Sequence, residues 1–461
     1  MRITITLILC ACLQVMAGPA DGLLPGHWRD LTNTHLRSVV PSPAPTGDPA
    51  TIMTAWSGGA YDTDREQLIV WGGGHVDYAG NEVYTFGPMN GASAAWTRRT
   101  NPSAPDQDCG AAYGDGKPTS THTYANLIYA PNVQKFYSMG LGSNYPCGSE
   151  NGQIWSMNVA NYTWDAQSAN PNFGGNVQGA FSAYDSKTGN IWTRPFGSTN
   201  LRCFSPVSKT VVGTYGDGKY LEIYAIGAID PTRHIMVSVG GYGSTQPTYC
   251  WDLDHPGTIL TPTTTGDKSA ETGGNRGFEF HPPSGKFVAW FGGTSVYTLT
   301  PPQNIQTGSW VWTKVNPASD NTVTPSSPAS GGTYGRFRYI PSLDVFILVN
   351  SIDGDVYLYK LDYGSGVTKS ALPSAAGLSL TASPNPFMAN TSFSFNLKSR
   401  QRVDLSIYNP AGERIATLIS GLQNPGLHQV TWAAPKTNSG LFVARAKLGD
   451  AVSVVKLFVL K

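Results

Sequence analysis

The feature that most restricts this 461-residue chain is a phrase that returns six times between about residues 51 and 363. Each copy reads as an apolar strand, a short turn, a β-branched or aromatic strand running toward Gly-Gly, and a third strand with Tyr or Trp. A fourth strand led by Trp often follows. The first copy is the clearest: MTAWSGGAYDTDREQLIVWGGGHVDYAGNEVYTFG, then AAWTRRTNP. The others centre on THTYANLIYAPNVQKFYSMGLG, GAFSAYDSKTGNIWTRPFG, LEIYAIGAIDPTRHIMVSVGGYG, RGFEFHPPSGKFVAWFGG and GTYGRFRYIPSLDVFILVNS. A unit of four short strands cannot bury both of its faces alone, so the copies must pack on one another radially. Charged residues are only 13% of the chain, about half of the usual share of roughly 25%. Gly 52, Pro 33 and 11% aromatics suit short strands with many tight turns and not disorder, which needs high charge and few aromatics. A net charge of +1 without a basic run argues against nucleic acid as a partner.

The Gly-Gly after the second strand, then Tyr, then Trp, resembles the kelch and galactose-oxidase-like propellers over roughly two thirds of the chain. The fold class expected is therefore all-β: a β-propeller of six four-stranded blades spanning 24–363, or seven if a divergent blade hides in 195–220. The sixth copy lacks its Trp-led fourth strand. His27-Trp28-Arg29-Asp30-Leu31-Thr32-Asn33-Thr34 is similar to Trp96-Thr97-Arg98-Arg99-Thr100-Asn101-Pro102, so Trp28 is expected to begin the missing strand and close the ring.

The text changes after a linker at 364–377. Residues 378–461 carry Pro384-Asn385-Pro386-Phe387, Ile407-Tyr408-Asn409 before Gly412, Gly426 and His428, and Ser439-Gly440. This tail resembles the C-terminal sorting domain of type IX secretion and equally the immunoglobulin-like domain of the flagellar hook-capping protein. Its alternating strands, such as Val403-Asp404-Leu405-Ser406-Ile407, read independently as a seven-strand β-sandwich. The resemblance implies export and retention at the outer surface, with secretion or anchoring machinery as a partner. Arg2, the apolar run Ile3 to Leu13 and Val15-Met16-Ala17 before Gly18 read as a signal peptide over 1–17, with acylation of Cys12 as the alternative. No later stretch reaches 18 apolar residues, so no transmembrane segment is expected. In an oxidising compartment Cys109, Cys147, Cys203 and Cys250 allow three pairings. Consecutive pairing, 109–147 and 203–250, closes the shortest loops.

The turns between first and second strands are all short, whereas the loops at 72–81, 101–121, 139–152, 240–249, 266–275 and 316–333 are long and polar. One end is trimmed and the other elaborated, and function on a rigid scaffold gathers on elaborated loops. Counting back by twos along the first strands places His122, Tyr124, Asn126, Glu222, Tyr224, Arg276, Tyr334 and Arg336 in one register at that end. A wet channel mouth with Arg336 paired to Glu222 is the structural alternative. The second candidate is the loop Gly72-Gly73-Gly74-His75-Val76-Asp77-Tyr78, where His75 would serve as a general base oriented by Asp77. His234 and His281 fall on the trimmed end. No ligand spacing compels a metal, and calcium in the Asp- and Gly-rich loops is compatible with the sequence.

This set suits an enzyme on extracellular polysaccharide, most simply a uronate lyase. His122 or His75 would take the proton, Tyr124 would donate to the leaving oxygen, and Arg276 or Arg336 would neutralise the carboxylate. Tyr334, Glu222, Tyr224, Asn126, Asp77 and Tyr78 would hold the chain. A glycoside hydrolase needs two spaced carboxylates, with Glu222, Glu279 and Asp77 at hand. A non-catalytic carbohydrate- or surface-binding propeller is the other alternative. Copper-radical chemistry lacks an adjacent Tyr-His pair, and a sialidase lacks its repeated Ser-x-Asp-x-Gly-x-x-Trp.

Overall fold

The computed structural model describes residues 18–364 and 380–459, apart from positions 92, 106–107, 175–176, 243–246, 275, 384, 386, 388, 398–400, 410–412, 425, 435–439 and 449–450. The expected signal peptide, most of the linker, and Pro384, Pro386, Gly412 and Ser439 lie outside the described residues. The chain divides into two compact units, Met1–Ser365 and Gly366–Lys461.

The first unit is a β-propeller. Blade one hydrogen-bonds Gly59–Asp62, Gln67–Val70, Tyr84–Gly87 and Ala95–Arg98 in chain order. The first strands of blades two to six are Leu127–Ala130, Phe181–Asp185, Ala225–Asp230, Gly277–His281 and Phe337–Ile340. Blade six takes its fourth strand from the beginning of the chain. Trp28–Leu31 pairs antiparallel with Val356–Tyr359, Trp28 opposite Tyr359. The irregular stretch at 195–220 is not a seventh blade. Its strands Asn200–Ser205 and Thr210–Gly216 complete blade three.

Period-two side chains explain the radial packing. On the second strand of blade one, Leu68 and Val70 pack with Ile347, Val356 and Leu358 of blade six. Ile69, on the opposite face, joins Leu127, Phe136 and Trp155 of blade two. Both faces of a blade are thus apolar, and each buried aliphatic contributes about 1.5–3 kcal/mol. Trp28 packs into the layer between blades five and six, its ring 6.2 Å from Trp290 and 4.7 Å from Tyr359.

The trimmed end repeats one device. The residue before each second strand is left-handed: Glu66, Gln134, Gly189, His234, Gly285 and Asp344, with φ between 51° and 77°. Asp62 accepts from the backbone N–H of Asp64 and Arg65, and Asp230 from Thr232 and Arg233. Side chains then link neighbouring blades, His234 to Asp185 at 2.9 Å, His281 to Asp344 at 3.1 Å and Tyr129 to Asp64 at 2.5 Å.

The second unit holds seven strands among the described residues, in sheets of three and four. Phe393 and Trp432 from one sheet and Leu405, Ile407 and Phe442 from the other share a buried core. Cys109 and Cys147 are joined by a disulfide. The expected 203–250 bridge is not formed, and both cysteines are free and buried. Each lies on the third strand of its own blade, opposite Trp192 and Val237. Burial pushes the Cys203 thiol up to about 12 and raises that of Cys250 as well. Among the described residues no helix is long and apolar enough to cross a membrane.

Candidate functional site

At the elaborated end three loops of blades one and two lock together. The backbone N–H groups of His75 and His122 both donate to the Ser143 carbonyl, at 3.0 and 3.2 Å. Gly74 is left-handed, at φ 81°, and a Cβ there would lie 2.4 Å from the Ser143 oxygen and from Thr121 Cα, so only glycine permits this approach. The disulfide reinforces the arrangement, because Gly148, next to Cys147, abuts the His75 ring.

The product of this locking is a His–Asp pair. His122 Nε2 lies 2.8 Å from Asp77 Oδ2. A carboxylate only accepts, so Nε2 carries the proton and Nδ1 presents a lone pair. Asp77 therefore orients His122, not its loop neighbour His75, which is exposed. His122 is 4% exposed, and its Nδ1 is buried without a hydrogen-bond partner among the described residues. An unmet buried polar atom costs about 1–3 kcal/mol. Burial pulls the imidazole below its ordinary range, Asp77 opposes this, and His75 adds to it. The ring is thus held neutral and able to accept a proton.

Aromatic rings surround the pair. Trp56 lies 5.1 Å from His122, and Tyr124 and His75 each lie 6.0 Å from it. Tyr224 stacks at 6.1 Å on Trp56 and at 6.0 Å on Tyr124, and Tyr334 meets Tyr124 edge-on at 5.9 Å. Blades one, two, four and six thus contribute one ring each. Trp56, Tyr124, Tyr224 and Tyr334 are all left-handed, with φ of 46°, 46°, 73° and 45°. Bulky side chains rarely adopt this conformation, which costs of order 1–3 kcal/mol per residue and is held only where the surroundings impose it. Below the rings, Arg338 donates to the carbonyls of Gly59 and Leu127 and pairs with Glu279 at 2.8 Å, crossing the axis.

Other residues of the expected register serve different ends. Arg336 is fully buried and donates to the carbonyls of Ser57, Met53, Val349 and Gly332. It makes no ion pair with Glu222, which is exposed beside Tyr249. Burial lowers Arg336 to about 9. Asn126 is buried and accepts from Ser182 at 3.0 Å, and Tyr78 is buried and donates to Glu82 at 2.7 Å. The alternation fails above the strands because the chain turns left-handed at Tyr124, Tyr224 and Tyr334 and leaves strand geometry.

Arg276 stays near the mouth. It is 7% exposed, its guanidinium lies 4.1 Å over the Phe291 ring, and Nε donates to the Gly273 carbonyl. Burial lowers it to about 10, so it remains charged at neutral pH. Its loop touches the rings, since a Cβ on Gly274 would meet Tyr224 at 2.8 Å. Among the described residues Arg276 has no carboxylate partner.

Sequence reasoning missed Trp56 and Glu150. Glu150 lies within electrostatic reach of Tyr124, and burial alone raises its carboxyl. Only its place in the 139–152 loop hinted at it. Among the described residues no cluster of three or more His, Cys, Asp or Glu is arranged to hold a metal.

No family model matches the chain. No curated protein matches it either. Solved structures similar to it include a structure of the Dos1 propeller, 13% identical with a TM-score of 0.34, covering 66% of this chain and 68% of that one. Another is a nidogen/laminin complex, 10% identical with a TM-score of 0.33, covering 56% and 84%. A third is the hydrazine synthase of Kuenenia stuttgartiensis, 10% identical with a TM-score of 0.33, covering 66% and 78%.

Proposed function

We propose that the chain is an exported, kelch-like propeller that acts on extracellular polysaccharide at this mouth, with a uronate lyase reaction as the chemistry. The C-terminal unit serves sorting and surface retention. The observation that carries the catalytic reading is the buried His122, oriented by Asp77 and left with an unpartnered Nδ1. Arg276 neutralises the uronate carboxylate and so acidifies the adjacent C–H. His122 Nδ1 accepts that proton, and Asp77 stabilises the imidazolium formed. The C–O bond to the departing sugar breaks as the new C=C bond forms. Its oxygen takes a proton from Tyr124, which burial keeps protonated, or from Glu150, whose raised carboxyl suits a donor.

Incubation of the intact protein with a panel of uronate polysaccharides tests this. A lyase yields new reducing ends together with the ultraviolet absorbance of an unsaturated uronate. His122→Ala and Arg276→Ala should each abolish both signals. Reducing ends without absorbance would replace the lyase by a hydrolase, and full activity in either variant would remove the site.

The half-buried stacked rings of Trp56 and Tyr224, with exposed Tyr242 6.0 Å beyond Tyr224, favour a second reading. They form a platform on which sugar faces could be held without chemistry. Retention on the panel without new ends would select it.

A further inference from the structure

The net charge of +1 conceals a division within the chain. Residues 366–461 contain ten Lys and Arg against three Asp and Glu, a net +7. The preceding 365 residues contain 21 against 27, a net −6. Four of those ten cations are gathered on one face. On its four-stranded sheet, alternation sends Val403, Leu405, Ile407, Ala444 and Ala446 into the core, each fully buried. Their neighbours Arg402, Asp404 and Tyr408, and Arg445 and Lys447, therefore take the outer face. Register sets Asp404 opposite Lys447 and Tyr408 opposite Arg414. These six residues line an open concavity of about 520 Å³.

Four cations face one carboxylate there, and Asp404 already accepts from the Ser406 hydroxyl at 2.8 Å. Among the described residues the last one in a salt bridge is Asp355, in the first unit, so the four cations are not neutralised by ion pairs. Three of them are arginines, whose planar forks match carboxylate and sulfate geometry. The edges of the face are apolar. Leu422, opposite Arg402, and Val454, opposite Arg445, are 63% and 56% exposed.

We infer that this face is a second binding site, for a short acidic segment of polysaccharide whose carboxylates or sulfates meet Arg402, Arg414, Arg445 and Lys447. Tyr408 and the apolar edges contact the sugar rings. A recessed line of cations between apolar rims fits a charged chain lying in the groove. The site does not depend on the chemistry at the propeller mouth.

The test uses the intact protein and the exposed triple variant R402Q/R445Q/K447Q, with polygalacturonate and heparin as probes. Neutral dextran and phosphatidylglycerol vesicles are the controls. The wild type should bind both acidic polysaccharides at low salt and ignore dextran. The variant should bind on the order of tenfold more weakly, with a shallower salt dependence. The control K209Q/K219Q, at exposed lysines of the first unit, should bind like the wild type. Equal affinity of the triple variant and wild type would overturn the site. So would binding to the vesicles in place of the polysaccharides, or binding to dextran as well. A failed turnover assay with intact polygalacturonate binding would remove the mouth reading alone.

Discussion

The two ends of the propeller use the same backbone conformation for opposite purposes. At the trimmed end, left-handed φ falls on Glu66, Gln134, Gly189, His234, Gly285 and Asp344, where it simply closes short turns. At the elaborated end it falls on Trp56, Tyr124, Tyr224 and Tyr334, whose rings it brings together. The first use is a cheap way to reverse a strand. The second holds bulky residues in a disfavoured state, and it coincides with the His122–Asp77 pair and with Arg276, which has no carboxylate partner among the described residues. Strain of this kind persists where the surrounding structure imposes it, and it gathers at functional sites.

The largest effect expected is common to both ends. Trp28→Ala removes the anchor of the closing strand, including the Nε1 hydrogen bond to the Thr294 carbonyl at 2.8 Å. It should cost about 4–5 kcal/mol in denaturant unfolding. A loss below 1 kcal/mol would mean that the ring is held without it. Next, Cys109→Ser with Cys147→Ser reopens a 38-residue separation. Roughly 3–4 kcal/mol should be lost, with faster local hydrogen exchange at 72–78 and 143–149 while the trimmed turns stay protected.

The ends separate further under single substitutions. Tyr124→Gly relieves the backbone but empties the ring cluster, and a net loss of about 2–4 kcal/mol is expected. Gln134→Gly, at an exposed turn residue with the same φ sign, should be neutral or stabilising by less than about 1 kcal/mol. If both glycines stabilise equally, the aromatic cluster contributes nothing.

The pH dependence sharpens the assignment of His122. Burial depresses its imidazole, so the folded state binds fewer protons than the unfolded chain below the usual imidazole range. This contribution to stability is therefore complete above that range and is lost as pH falls through the lower folded value. Turnover should rise with pH across that same lowered value. Asp77→Asn removes the contact that opposes burial and should shift the limb further down. It should also slow turnover on the order of 10²-fold. An unshifted limb would assign the proton transfer to another group.

The blades were legible because a period-two pattern that serves two apolar faces leaves its mark in every copy, and Trp28 was legible because a fourth strand led by Trp recurs. The elaborated loops were legible by length, and His122, Asp77, Tyr124, Tyr224 and Arg276 do come to that end. The partnerships were not. Asp77 reaches His122 across 45 residues because Gly74 and Ser143 fix both loops, and nothing local to either residue encodes it. Arg336 was misjudged as a ligand-binding cation, because alternation counted upward from the strand does not survive the left-handed Tyr334. Its guanidinium instead ties blade six to Met53 and Ser57. Cys203 and Cys250 looked like a pair from spacing alone, yet each faces its own blade's interior partners.

Hydrogen exchange of the intact protein with and without a uronate oligosaccharide tests the central contrast most directly. Protection should gather at 72–78, 120–126 and 148–151, and the turns at 62–67, 185–190 and 230–235 should stay unchanged. Protection at those turns, with none around His122, would contradict the placement of function at the elaborated end.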